Sequence, residues 1–187
     1  AQKRGISISA DQYPWLASGT NLSSAVMPKW VMADSTKAYH QRLNQADLSV
    51  KIAQEITENI RRRGGPESLA ITEFKDKNLV ALNLQQVAEL KELSVVDTAI
   101  WLVQQGDVRV ASFNMSPKDV ENFMVQPWVV TSSDGTNGHP RKYASFPRKY
   151  QTYVVDKKLL DLATFINRSS SQTAKILGLA DRGILKQ

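Results

Sequence analysis

A chain of 187 residues with 42% hydrophobic side chains suits one soluble core or two small ones, and excludes a disordered or fibrous protein. No apolar stretch approaches the roughly 20 residues needed to cross a bilayer, and the absence of cysteine excludes disulfides and thiolate ligands from these residues. The formal net charge of +6 favours an anionic partner. Basic and aromatic residues do not alternate along one face, however, so we expect neither nucleic-acid nor membrane binding.

The first element is predicted over residues 5–12, where apolar and polar side chains alternate as in a strand. It ends at Tyr13-Pro14-Trp15, and residues 17–25, rich in Ser, Gly and Asn, predict a loop. The amino-terminal residues lack the apolar middle region of a signal peptide. Secretion is therefore neither indicated nor excluded, and we take the cytoplasm as the expected location.

A long helix is predicted from residue 38 to residue 63, with an apolar stripe at Ile52, Ile56 and Ile60. The helix stops at Gly64-Gly65-Pro66. Three arginines at residues 61–63 fall in its last turn, where cations complement the helix dipole, which favours a solvated helix end over a nucleic-acid surface. A short strand is predicted over residues 69–72.

The rest of the chain alternates helices and strands. Helices are predicted over 84–93, from Ser94 to Gly106, from Ser116-Pro117 onward, near 158–168 and over 172–178, and strands over 108–113 and 128–133. This order is α/β and predicts parallel strands with right-handed crossovers. The connection after the first strand is too long for a simple loop, so we expect an inserted lobe over 27–83 within a domain of residues 1–26 and 84–187.

The segment from Val129 to Arg141 carries the most chemical information. An apolar run ends before Asp134-Gly135, and a His-Pro-Arg loop follows. In a parallel barrel, a polar residue where a strand ends lies at the catalytic face, where a carboxylate can hold a metal or accept a proton from water. Arg141 can bind a substrate carboxylate through two parallel hydrogen bonds. An ordinary Asp-Gly turn with surface Asp and Arg side chains is the alternative, and spacing alone leaves both open.

Four motifs in order extend this pattern: residues 10–20 (ADQYPWLASGT), SSDG followed by HPR, FPR at 146–148, and GLADRG at 178–183. Together they resemble the N-acyl-D-amino-acid deacylases, the D-aminoacylases of the amidohydrolase superfamily. The resemblance implies a zinc-dependent hydrolase on a (β/α)₈ barrel, which converts an N-acyl-D-amino acid into a carboxylate and a free D-amino acid.

The same resemblance implies roles for individual residues. Asp134 matches the aspartate that ends the last barrel strand, binds metal and orients or deprotonates the attacking water. Arg141 matches the residue that binds the free carboxylate of the substrate. Tyr13 matches a second carboxylate contact, although a tyrosine before a proline can also simply pack at a strand end.

Three further residues are candidates for substrate binding. Ser18 and Thr20 lie where the family has small hydroxyl residues, but the family often has Ala-Gly-Ser-Thr where this chain has Ala-Ser-Gly-Thr. Which hydroxyl contributes therefore stays open. His139 resembles a loop histidine of the family that is not a metal ligand, so either substrate contact or a role in the loop fits it.

The chain also departs from the family. The metal ligands of the family begin with a His-x-His pair. That pair is absent here, and of the expected ligands only Asp134 is present. A zinc site needs at least three protein ligands. We therefore expect zinc in the intact protein, none in this chain alone, and no turnover by the isolated chain.

These departures predict an incomplete barrel containing the last three strands and the inserted lobe, because a whole barrel takes about 250 residues. Unpaired strand edges would favour self-association. The alternative function is a non-catalytic domain, derived from an amidohydrolase, that binds a partner or associates with itself.

Overall fold

The computed structural model describes residues 4–135 and 140–186. Their strands are β1 (Ala10–Gln12), β2 (Ser18–Asn21), β3 (Leu69–Glu73), β4 (Arg109–Ser112) and β5 (Val129–Thr131). Their α-helices are α1 (Leu22–Val26), α2 (Thr36–Leu43), α3 (Ala46–Arg62), α4 (Leu84–Lys91), α5 (Val95–Gln104), α6 (Pro117–Met124), α7 (Arg141–Lys149), α8 (Leu162–Ser169) and α9 (Ser171–Ile176). A π-helix (Tyr150–Asp156) follows α7, and 3₁₀ turns occupy Pro66–Ser68 and Lys77–Leu79.

The chain divides into two compact units. The first combines Ala1–Leu16 with Met115–Gln187, and the second comprises Ala17–Asn114. The predicted lobe, 27–83, lies within the second unit, which also includes residues on both sides of it. No helix of the described residues is long and apolar enough to span a membrane.

The first unit contains the parallel pair β1–β5, in which Ala10 lies opposite Val129 and Gln12 opposite Thr131. Helices α6, α8 and α9 pack against β5. A small apolar cluster is formed by Val120, Met124, Tyr153 and Leu160. The two strands are parallel, as the sequence predicts for neighbouring strands. Tyr13 and Asp134 both follow the carboxyl ends of these strands, so they lie at the same end of the sheet.

The second unit contains a three-stranded antiparallel sheet of order β2–β4–β3. The expectation that residues 108–113 form a third parallel barrel strand is corrected here. Both edges of β4 are occupied, because Ser112 pairs with Ser18 on one side and with Leu69 on the other. The predicted stripe of Ile52, Ile56 and Ile60 is buried in this unit's core, where α3 packs against α1, α2 and α5.

Several predicted elements differ from the structure. The single helix over 38–63 is two helices, α2 and α3, separated at Asn44 and Gln45. The predicted loop over 17–25 forms β2 and α1, because β4 supplies backbone hydrogen-bond partners that the local sequence does not reveal. Helix α7 and the π-helix after it were not predicted.

Candidate functional site at the ends of β1 and β5

Asp134 lies three residues beyond β5, in a turn with unusual backbone geometry. Its φ of 45° is in the left-handed region, which aspartate tolerates better than most residues. Gly135 follows, and a Cβ at that position would lie 3.2 Å from Cα of Lys142. The turn therefore brings the start of α7 against the residues that follow β5, and a side chain at position 135 would force them apart.

Arg141, the first residue of α7, forms an ion pair with Asp134. Its Nη1 lies 2.7 Å from Asp134 Oδ2. The arginine side chain is only 2% exposed, whereas that of Asp134 is 57% exposed. A buried guanidinium is thus held beside a carboxylate that water can reach.

Tyr13 completes the cluster from the other strand. It follows β1, and the guanidinium carbon of Arg141 lies 5.7 Å from the centre of its ring. Partial burial raises the pKa of Tyr13, the charge of Arg141 opposes that rise, and the charge of Asp134 adds to it. The structure therefore brings together three of the residues proposed from sequence: Tyr13, Asp134 and Arg141.

The predicted site residues Ser18 and Thr20 belong to the second unit. Both lie in β2, opposite Ser112 and Val110, and Ser18 Oγ donates a hydrogen bond to Asn114 Oδ1 at 3.4 Å. Their part in substrate binding stays a prediction. His139, the remaining candidate, lies outside the described residues.

The face of α7 that is buried carries polar residues that sequence reasoning missed. Ser145 and Lys149 lie one and two turns after Arg141, and all three side chains are buried. Lys149 Nζ donates to Thr131 Oγ1 at 2.9 Å. Burial lowers the pKa of Lys149 to about 8, and the charge of Arg168 adds to the decrease. Polar residues at this spacing give no hydrophobic periodicity, so the pattern offered no signal.

The described residues do not by themselves fit a zinc site. Within residues 4–135 and 140–186, no three His, Cys, Asp or Glu side chains converge as metal ligands would, whereas zinc takes at least three from the protein. One oxygen of Asp134, the predicted ligand, is engaged by Arg141. Without further metal ligands, the cluster can still bind a carboxylate through Arg141 and Tyr13, and Asp134 can accept a proton from water.

Sequence comparison finds relatives over part of the chain. An N-acyl-D-aspartate deacylase of Alcaligenes xylosoxydans is 33% identical over 79 residues, which are 40% of this chain and 16% of that protein. An N-acyl-D-glutamate deacylase of the same organism is 32% identical over 77 residues, again 16% of its length. The chain thus matches about one sixth of these relatives. No protein-family model matches the sequence.

Comparison with solved structures extends the likeness to nearly the whole chain. An N-acyl-D-glutamate deacylase from Bordetella bronchiseptica, in complex with zinc and a phosphonate that mimics the tetrahedral intermediate, aligns with a TM-score of 0.71 and 20% identity. It covers 99% of this chain, which spans 32% of that enzyme. A D-aminoacylase aligns with a TM-score of 0.67 and 22% identity over 97% of this chain and 31% of its own. In sequence over part of its length, and in fold over nearly all of it, the chain is similar to the N-acyl-D-amino-acid deacylases of the amidohydrolase superfamily.

Proposed function

We propose that the chain is the carboxy-terminal part of an amidohydrolase that hydrolyses N-acyl-D-amino acids to a carboxylate and a D-amino acid. The observation that carries the proposal is the cluster of Tyr13, Asp134 and Arg141 beyond two adjacent parallel strands. Ligand-binding residues collect at this end of parallel strands in barrel enzymes. The likeness to two deacylases in sequence supports the same reaction.

Each residue of the cluster has a role in this proposal. Arg141 and Tyr13 supply the donors that a substrate carboxylate needs, and burial of the guanidinium strengthens its attraction for an anion. Asp134 is exposed and ionisable, so it can accept a proton from the attacking water and pass it to the leaving nitrogen. Its ion pair with Arg141 orients the carboxylate before substrate binds.

Zinc belongs to the intact protein in this proposal, because a structural neighbour contains it. Its ligands, apart from Asp134, would come from residues other than those described. Ser18, Thr20 and His139 remain candidates for substrate contact, and the cytoplasm remains the proposed location.

Each of the two compact units has its own role in this proposal. We assign β1 and β5 to two neighbouring strands of an incomplete (β/α)₈ barrel. The second unit is the inserted α+β lobe, with its limits moved from 27–83 to Ala17–Asn114. Parallel pairing of β1 with β5 supports the first assignment, and the separate antiparallel sheet supports the second.

The decisive test uses the parent protein, meaning the longer polypeptide that this proposal places around the chain. Supplied with zinc, it should hydrolyse N-acetyl-D-glutamate, N-acetyl-D-aspartate or N-acetyl-D-leucine and leave the L-enantiomers intact. Asp134→Asn should lower kcat by about 10²- to 10⁴-fold, the usual contribution of a general base. Asparagine tolerates the left-handed backbone at this position, so the substitution removes the charge with little change of shape.

Arg141→Lys provides the matched comparison. It keeps the positive charge but loses the planar pair of donors, so KM should rise more than kcat falls. The isolated chain with zinc should show no hydrolysis. Failure of the parent protein to hydrolyse any N-acyl-D-amino acid, or full activity of Asp134→Asn, would refute the proposal.

A further inference from the structure

One hydroxyl group connects the two halves of the candidate carboxylate site. The indole Nε1 of Trp15 donates a hydrogen bond to Ser145 Oγ at 2.8 Å. The same hydroxyl donates to the backbone oxygen of Arg141 at 2.6 Å. Ser145 is 1% exposed, so water does not readily replace either bond. Trp15 lies two residues after Tyr13, and Arg141 is the residue that Tyr13 faces.

A second contact joins the same two segments. Arg148 stacks over the ring of Trp15, with its guanidinium carbon 4.6 Å from the ring centre. Its Nε donates to the backbone oxygen of Pro14 at 3.4 Å. Residues 141, 145 and 148 are spaced by four and three along α7, so they lie on one side of the helix. That side of α7 therefore holds the Tyr13-Pro14-Trp15 segment at several points.

We propose that Ser145 is a positioning residue that fixes the separation between Tyr13 and Arg141, with Trp15 as its partner. This inference rests on the proposed function, because it concerns how that site grips the carboxylate of its substrate. Tyr13 leaves β1 and Arg141 begins α7, and no continuous element joins them. Ser145 lies on α7, so the bond that its buried hydroxyl accepts from Trp15 ties the segment after β1 to the helix that carries Arg141.

The chemistry of a hydroxyl suits this role. Serine has a single proton to donate and lone pairs to accept, and here both capacities are used. Loss of the hydroxyl would remove the bond from the half-buried indole N–H to α7, whereas the Arg141 carbonyl would keep its helical partner, the backbone N–H of Ser145. The cost would fall on the geometry of the site, because the Tyr13-Pro14-Trp15 segment would lose this bond to the helix that carries Arg141.

The test compares Ser145→Ala and Trp15→Phe with Trp128→Phe. Trp15→Phe keeps an aromatic ring under Arg148 and removes only the N–H donor and some ring area. Trp128 is in the same unit and packs against Phe123, with ring centres 6.4 Å apart, so it is a matched control. In this chain, the measurement is the nuclear Overhauser contact between the Tyr13 ring and the Arg141 side chain. We expect both test variants to weaken it and the control to keep it.

The second readout is kinetic and uses the parent protein. Ser145→Ala and Trp15→Phe should raise KM for an N-acyl-D-amino acid roughly fivefold to tenfold, about the factor of one ordinary hydrogen bond, with kcat little changed. KM for the matched N-acyl amine, which lacks the carboxylate, should not change. A merely structural role would not separate the two substrates.

The outcomes can be distinguished from failure of the proposed function. If the unaltered parent protein hydrolyses nothing, the proposed function fails, while the contact measured in this chain still decides the role of Ser145. An unchanged contact together with unchanged KM in either test variant overturns the inference. If both test variants unfold while Trp128→Phe folds, the hydroxyl is purely structural and the inference is also overturned.

Discussion

Asp134 and Asp34 occupy the same kind of backbone position, but the arginines that they neutralise differ in burial. Both have positive φ, 45° and 72°, and both form an ion pair with an arginine. The partner of Asp134, Arg141, is 2% exposed, whereas Arg42, the partner of Asp34, is 24% exposed. A partner that water reaches can be solvated when its carboxylate is lost, and a buried one cannot.

This difference predicts unequal effects of one substitution at the two positions. Asp134→Asn should lower the free energy of unfolding of the chain by about 1–2 kcal/mol, because a buried guanidinium loses its carboxylate. Asp34→Asn should change it by no more than about 0.5 kcal/mol, as for other exposed pairs. Asparagine accepts the left-handed conformation at both positions. Urea denaturation measures both, and equal losses would contradict the role assigned to burial.

At the level of elements, helix α7 is the one near the candidate site that the sequence pattern does not predict. Its buried positions are Arg141, Ser145 and Lys149, all polar, and Pro147 lies within the helix. A search for apolar side chains every three or four residues finds nothing here, and a proline argues against a helix interior. The motif indicated separate roles for Asp134 and Arg141 at one site, but not the ion pair between them. The helix that positions Arg141 could not be foreseen, because its burial depends on tertiary hydrogen bonds.

Lys149, at the end of α7, makes the stability of the chain depend on pH. Its pKa is lowered by burial from the ordinary value of 10.5 to about 8. Below pH 8 both the folded and unfolded chains carry the proton, and burial of the charge opposes folding in full. Between pH 8 and 10.5 the unfolded chain keeps a proton that the folded chain has released. The free energy of unfolding should therefore rise with pH in this window.

The expected rise from this lysine between pH 8 and pH 9.5 is about 1.5 kcal/mol, because each pH unit contributes at most about 1.4 kcal/mol and the folded lysine is still half protonated at pH 8. Lys149→Met should abolish it, whereas Lys175→Met, an exposed lysine on α9, should not. The range stops at pH 9.5 because burial raises the pKa of Tyr39 to about 12. Ionisation of this tyrosine in the unfolded chain near pH 10 opposes folding. Chemical denaturation across the range is the measurement, and an unchanged slope in Lys149→Met would refute the assignment.

For the whole molecule, the sequence indicated the α/β character and parallel strands, but it placed residues 108–113 between the first and last strands, whereas β1 and β5 pair directly. It did not indicate that β4 pairs with β2 and β3 in a separate antiparallel sheet. The local sequence of β4, Arg109–Ser112, is compatible with either arrangement. The choice depends on β2, whose Ser-Gly-Thr-Asn sequence is typical of a loop and becomes a strand only through pairing. Long-range pairing of this kind has no signature in local periodicity.

The parallel pair also leads to a prediction about association in solution. Within the residues that the structure describes, each of β1 and β5 pairs along one edge only, and Ile6 and Ile8 before β1 are 45% and 50% exposed. Open strand edges beside apolar side chains favour pairing with another copy. We expect the chain to dimerise or form larger species as its concentration rises, which sedimentation velocity measures.

Ile8→Lys should weaken this association, because a charged side chain beside an open edge disfavours pairing. Val50→Lys, on the exposed side of α3, should leave it unchanged and controls for added charge. A chain that stays monomeric at every concentration would refute the prediction.

The hydrogen bond between Trp15 and Ser145 has a consequence for how such sequences diverge. The two residues are 130 positions apart, yet the indole N–H of Trp15 donates to the hydroxyl of Ser145 in a partly buried place, where polar groups are normally hydrogen-bonded. A lineage that replaces the indole leaves the hydroxyl with only its bond to the Arg141 carbonyl, and one that replaces the serine removes the bond from the indole to α7. Substitutions at positions 15 and 145 should therefore occur together among homologues, as correlated columns in an alignment.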